Sequence, residues 1–482
     1  MAGVEFIPSQ IFLTASSSLD KYPGKQQHAQ NVARKLGANN GLLYLPGQGK
    51  VFREDSDMEV PFRQRRYFYY LSGVDEPDCH LTYDIRRDVL TLFIPPINPE
   101  RVIWSGRGST VDEAYDKYDV DRVQLSDAVS ETVAKWTKKN IGTVYILHPT
   151  QEAFPGQNKL PRVDFTRLQM AIDHCRVIKD PHEIKLIRKA NEISADAHRT
   201  ILTNVRGLTN EAQVEGIFKD MCISKGAKHQ AYAPICGSGE NAATLHYVKN
   251  DEPLEGRQLM VLDAGAEWEL YASDVTRTFP LHGEWSEEAQ ATYSLVQSMQ
   301  EACIKKIKPG VRFLDIHALA HQIAVTGLLE LGILHGGNAK EILEAGTSLA
   351  FFPHGLGHHL GLETHDVSDT PINSVWTYQD PTCEKVRSGL VTELCKAPVD
   401  ARSGGLEEGM VVTVEPGIYF SRFAIQQFLQ SPEHSKYINK EEVEKYYSVG
   451  GVRIEDNILV TAGGYENLTT APKGEEMMRM IR

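Results

Sequence analysis

The sequence predicts an α/β domain over residues 1–175 followed by a larger α+β domain over 176–482. Three observations predict it. Short β-rich runs alternate with helix-compatible stretches between residues 42 and 150; the turn-rich "AFPGQNKLPRV" interrupts the chain at 153–163; and an amphipathic helix opening at Asp180 begins a region of long helices and later strands.

In the first part the strand-like runs are "GLLYLPG", "HLTYDI", "VLTLFIPP" and "TVYILHP", and "TVDEAYDKYDVDRVQLSDAVSETVAKW" holds a helix predicted to end near Trp136. In the second, Asp180 suits an N-cap and Pro181 the first helical position, where the missing N–H costs nothing. Ile184, Ile187, Ile193 and Ala197 then fall near helical spacing. "TNEAQVEGIFKDMCISKG" and "RFLDIHALAHQIAVTGLLELGIL" read as further helices, and the strands after them carry the acidic residues of interest.

At 482 residues the chain exceeds one typical core, and 41% hydrophobic with 24% charged residues is ordinary for a soluble protein. A formal net charge of −13 argues against a nucleic-acid partner, because phosphate binding needs a basic surface. "MAGVEFIPSQIFLTASSS" lacks the basic start and apolar run of a secretory signal, and no long apolar run suggests a membrane span. Seven cysteines without CxxC spacing point to a reducing, cytoplasmic setting.

The run "FFPHGLGHHLGLETHDV" at 351–367 places His354, His358, His359 and His365 among Gly355, Gly357 and Gly361. Each glycine costs a helix about 1 kcal/mol relative to Ala, so the run predicts a loop or irregular strand. A lone histidine is usually an ordinary hydrogen-bonded residue. Glycines that admit a close backbone approach, with imidazoles converging, suit a metal or an anionic intermediate instead. The run alone does not decide between these, and its partners must.

Those partners are acidic. In "RQLMVLDAGAEWELYASDVTRTFP", a tight turn at Trp268 and Glu269 would set Asp263 opposite Asp274, and two carboxylates that close repel or share a proton unless a cation sits between them. In "GMVVTVEPGIYF", Thr413 and Glu415 share a strand face and Pro416 ends regular pairing. In "GGVRIEDNILV", Arg453 and Glu455 share a face by alternation. Each glutamate alone is accounted for as a polar residue on the outer face of a half-buried strand. Together, two aspartates, two glutamates and a glycine-flanked histidine make an oxygen-rich donor set that suits Mn²⁺ or Co²⁺ and accepts Zn²⁺ or Fe²⁺.

The ordered set Asp263, Asp274, His358, Glu415 and Glu455, with "GSGENAATLHY" upstream, closely resembles the metal ligands of the pita-bread metallopeptidases, in particular aminopeptidase P and prolidase. "FRQRRYFYYLSGVDEP" resembles the family's N-terminal creatinase-like domain, which methionine aminopeptidases lack. The resemblance implies an α/β creatinase-like domain and an α+β pita-bread catalytic domain. It also implies two divalent ions, most simply Mn²⁺, bridged by Asp274 and Glu455, with Asp263 on one and His358 and Glu415 on the other.

By the same resemblance a metal-bridging hydroxide attacks an X-Pro peptide bond. Glu415 shuttles the proton, His246, His354 and His365 line the pocket, and Arg453 orients Glu455, while His359 points away. The implied activity is that of an Xaa-Pro aminopeptidase and the implied assembly a homodimer. The alternatives are a prolidase restricted to dipeptides, for which Arg402 would pair with the substrate carboxylate, and a pita-bread module that binds without hydrolysis.

Overall fold

A computed structural model describes residues 21–152, 162–367 and 405–482. The N-terminal segment, most of the turn-rich stretch at 153–163, and Arg402 lie outside the described residues. The chain divides into two compact units, Met1–Ile172 and Asp173–Arg482.

In the first unit every predicted strand forms. β1 (Gly41–Pro46), β2 (His80–Asp84), β3 (Val89–Ile94), β4 (Arg122–Leu125), β5 (Thr143–Tyr145) and β6 (Val163–Asp164) make one sheet in the order β4-β3-β2-β1-β5-β6. The pairs of β2 with β1 and with β3 are antiparallel, and the outer pairs are parallel. The expected helix spans Val129–Lys139, one turn beyond Trp136, and buries Val129, Val133 and Trp136 against Leu42, Tyr44, Phe93 and Val144. Trp136 does not bury its indole N–H unpaired: it donates to Asp84 at 2.9 Å.

The second unit opens as expected with the helix Pro181–Asn204. Asp180 caps the N–H groups of His182 and Glu183, and Glu183 accepts in return from the Asp180 N–H. Helices Glu211–Ser224, Glu287–Ile304 and Phe313–Glu330 follow. They pack around short antiparallel ladders: β7 (Ile235–Ser238), β8 (Leu259–Asp263), β9 (Glu267–Trp268), β10 (Tyr271–Ala272), β11 (Thr276–Pro280), β12 (Val411–Val414), β13 (Gly417–Tyr419), β14 (Gly451–Arg453), β15 (Asp456–Thr461) and β16 (Gly464–Asn467). The ladders run β11-β8-β7, β10-β9, β12-β15-β16 and β13-β14.

Two expectations about these strands need correction. The hairpin turn is Glu269–Leu270, not Trp268–Glu269; both residues hold left-handed backbone, at φ 48° and 62°. Thr276, rather than Asp274, therefore faces Asp263 across the ladder. The slip is two residues, and side chains alternate with period two, so Asp274 stays on the face of Asp263. What sets the register is packing. Leu270 is buried, and Gly265 passes so near Ser273 that a Cβ there would lie 1.8 Å from its carbonyl oxygen.

The second correction concerns "GGVRIEDNILV", which is not one strand. Residues 451–453 pair with β13 and residues 456–461 with β12 and β16, so Ile454 and Glu455 fall at the crossing. Opposite them, Glu415 and Pro416 occupy the same crossing between β12 and β13. Arg453 and Glu455 nevertheless meet at one group, the Thr276 hydroxyl, which accepts from Arg453 at 3.2 Å and donates to Glu455 at 2.7 Å.

Candidate metal centre

The four carboxylates sit where one ladder hands over to another. Asp263 ends β8, Asp274 lies between β10 and β11, and Glu415 and Glu455 occupy the facing crossings. The histidine run supplies the fifth group as an irregular strand alongside β12: Glu415 N–H donates to the Leu356 carbonyl (2.8 Å), Thr413 N–H to that of His358 (2.9 Å) and Leu360 N–H to that of Val411 (3.0 Å). Gly357 is what permits this approach, since a Cβ there would lie 2.1 Å from the Thr413 carbonyl oxygen.

All five predicted residues come together. His358 Nδ1 bonds the His359 carbonyl at 2.9 Å, which leaves Nε2 facing the acids, 3.4 Å from Asp274 Oδ2 and 3.2 Å from Glu415 Oε1. Ligand atoms of Asp274, His358 and Glu455 lie within 4.8 Å of one another. Thr276 donates to Glu455 Oε2 at 2.7 Å, whereas Oε1 is buried without a hydrogen-bond partner.

The electrostatics call for a cation. Burial, reinforced by Asp274, Glu415 and Asp263, pushes the Glu455 carboxyl well above the usual range. Burial also pushes Asp263 up to about 7, with Arg453 opposing it and Asp274 adding to it. Burial pulls His358 down, but hydrogen bonds to Asp274 and Glu415 outweigh it and raise the imidazole to about 10. A divalent ion would satisfy the orphaned Glu455 oxygen and cancel this repulsion, so the residues present fit one.

Among the neighbours, Arg453 departs from expectation. Arg453 does not reach for Glu455: it donates to Asp263 Oδ2 (2.7 Å), to the Tyr419 hydroxyl (2.9 Å) and to Thr276 Oγ1 (3.2 Å). His354 has both nitrogens engaged, Nδ1 with the Gly355 carbonyl (2.8 Å) and Nε2 with the Tyr419 hydroxyl (2.9 Å), and burial holds it down at about 4. His365 stands with its ring 4.4 Å from that of His358 and 6.4 Å from that of His246, and both outer rings are solvent-exposed. His359 is buried and pairs across from Val412.

Two residues that hold the aspartates carry no signal in the sequence. The Tyr232 hydroxyl lies 2.5 Å from Asp263 Oδ1 and 2.6 Å from Asp274 Oδ1, so one proton serves both acids. Asn457 clamps the Asp274 backbone, accepting from its N–H (3.0 Å) and donating to its carbonyl (2.6 Å). Neither carries a periodic signal: Tyr232 lies in a loop before β7, and the Asn457 contact joins separate ladders.

A sequence model for metallopeptidase family M24 matches residues 185–462, and one for the aminopeptidase P N-terminal domain matches residues 26–145. The chain belongs to metallopeptidase family M24. Its M24 relatives include a protein named "Probable Xaa-Pro aminopeptidase" from Pyrenophora tritici-repentis, 59% identical over 98% of this chain and 73% of that protein. Another of that name from Aspergillus clavatus is 54% identical over 100% of this chain and 97% of that protein. Aminopeptidase P from E. coli with the inhibitor Pro-Leu matches with a TM-score of 0.74 at 28% identity, covering 94% of this chain and 98% of that one. The mixed α/β architecture of a pita-bread metallopeptidase is thus shared, and membership of M24 implies divalent metal ions. Among the described residues no helix is long and apolar enough to cross a membrane.

Proposed function

We propose that this chain is an Xaa-Pro aminopeptidase that hydrolyses the bond between an N-terminal residue and proline in peptides longer than two residues. The carrying observation is the convergence of Asp263, Asp274, His358, Glu415 and Glu455 around a buried, unpaired Glu455 oxygen. These five would hold two divalent ions. Mn²⁺ suits the donor set best, being oxygen-rich with one imidazole. When bound, such ions supply a water deprotonated near neutral pH and positive charge for the scissile carbonyl.

The remaining work falls to the chain. Glu415, steadied by the Thr413 hydroxyl at 3.2 Å, takes and returns the proton. Arg453 fixes Asp263 by a charge-assisted bond. His365 and His246, on the open side of the cluster, meet the substrate carbonyl oxygens, and the His354 ring packs on proline. An X-Pro bond has no N–H to recognise, so shape and carbonyl contacts must carry selectivity.

The aminopeptidase reading, as against a prolidase, is supported by the names of the relatives above. We further propose a functional division at 1–175 and 176–482, a homodimer as the family resemblance implies, and a cytoplasmic setting on the strength of the cysteine usage. The charge of −13 supports leaving nucleic acid out.

The test is kcat/KM for an X-Pro dipeptide and an X-Pro-Y tripeptide in Mn²⁺-loaded enzyme, with metal content measured in single variants. His358→Ala should lose metal, while His354→Ala, His365→Ala and His246→Ala keep it and turn over slowly. A tenfold preference for the dipeptide, about 1.4 kcal/mol, would make the chain a prolidase instead.

A further inference from the structure

Glu211 is a fully buried carboxylate whose partners all lie in one segment. Its Oε1 accepts from the Ser238 N–H (2.9 Å), the Ser238 hydroxyl (2.6 Å) and the Asn241 amide (3.1 Å); its Oε2 accepts from the Tyr247 hydroxyl (2.8 Å) and the Glu252 N–H (3.2 Å). Its own N–H returns a bond to the Glu252 carbonyl at 3.0 Å. It is also the first residue of the helix Glu211–Ser224.

The segment so gathered is 238–252, which joins β7 to β8 and carries His246. Its neck is closed a second time by buried Asn250, which accepts from the Cys236 N–H (2.9 Å) and donates to the Pro234 carbonyl (2.8 Å). His246 itself is exposed at the tip, its ring 6.4 Å from that of His365. An exposed loop side chain keeps a fixed place only if the backbone beside it is held. The bond from Tyr247, the very next residue, to Glu211 is the nearest such hold. We propose that Glu211 and Tyr247 are positioning residues that keep His246 in line with His365 and the carboxylate cluster. The proposal rests on the reading that His246 meets the substrate.

Two variants separate this role from general support of the fold. Tyr247→Phe deletes one hydroxyl. Glu211→Gln can keep its three Oε1 partners through the amide oxygen while turning an NH₂ toward Tyr247 and Glu252. Measured on an X-Pro-Y tripeptide, each should lower kcat/KM roughly tenfold, and Tyr247→Phe should retain full metal content and a cooperative melt.

The decisive measurement is a double-mutant cycle: in a His246→Ala background, Tyr247→Phe should change kcat/KM by less than about twofold, because the side chain it positions is gone. Equal losses in both backgrounds would show that Tyr247 acts elsewhere and overturn the proposal. So would wild-type kinetics in Tyr247→Phe beside an impaired His246→Ala, which would leave the proposed role of His246 intact. Wild-type kinetics in His246→Ala itself would overturn both.

Discussion

Replacing Glu455 with Gln should have opposite consequences with and without metal. Within the chain, Glu455 Oε2 accepts from Thr276 and Oε1 is buried without a hydrogen-bond partner. The amide oxygen can keep the Thr276 bond, and the NH₂ takes the place of an unpaired acceptor beside the Asp274 carboxylate. A repelling acid thus becomes a neutral donor, and metal-free stability should change by less than about 1 kcal/mol, or rise. In the loaded protein, one of four carboxylates is lost from the ion site. If affinity falls about a hundredfold, an ion concentration of 100 times the wild-type Kd stabilises wild type by about 2.7 kcal/mol and the variant by only about 0.4. Thermal melts in chelator and at that fixed Mn²⁺ concentration, with calorimetric titration of Mn²⁺, read both quantities. Wild-type Mn²⁺ affinity in Glu455→Gln would refute the reasoning, and so would a chelated variant several kcal/mol less stable than chelated wild type.

Other expectations follow from the packing. His359→Ala, at a side chain only 2% exposed, should cost on the order of 2 kcal/mol through the cavity it leaves, with metal content unchanged by elemental analysis. Gly265→Ala would place a Cβ 1.8 Å from the Ser273 carbonyl oxygen; it should lower the melting temperature sharply and, by parting Asp263 from Asp274, abolish metal binding. In acid, two buried ion networks should fail together. Against burial, Arg176 and Lys179 hold Asp366 down at about 2, and Arg277 and Lys473 do the same for Asp456. Both folded values lie below the ordinary 3.8, so each network contributes its full stability above about pH 4 and loses it as pH falls through about 2. Asp366→Asn should be destabilised at pH 7 and show a shallower decline in acid unfolding monitored by circular dichroism.

The legible parts of the sequence were those with local causes. Asp180 and Pro181 announce a helix start because capping chemistry acts within four residues. Pro416 announces the end of β12 because it cannot donate to a ladder. The hairpin register was misread by two because Glu269 and Leu270 hold left-handed backbone without the glycine or asparagine that normally marks such a turn. The two aspartates survived that error only because the slip was even. Arg453 takes Asp263 rather than Glu455 for a different reason: alternation puts two side chains on one side but does not say which acid of another ladder the guanidinium meets. Tyr232, Asn457 and Glu211 act across distances in sequence that no periodicity encodes.

Placing the acids at ladder crossings has a temporal consequence. Asp263 is translated early in the second unit and Glu455 near its end, and neither is of use until β8, β11, β12 and β15 have all paired. Contacts of such long sequence separation form late in folding, because loop closure must be paid for before they reward it. A chain emerging from the ribosome would carry the histidine run and two aspartates long before it could assemble an ion site, and so would pass its most vulnerable interval unable to cleave its neighbours. Hydrolytic competence would arrive only after residues as far apart in sequence as Asp263 and Glu455 had been brought together.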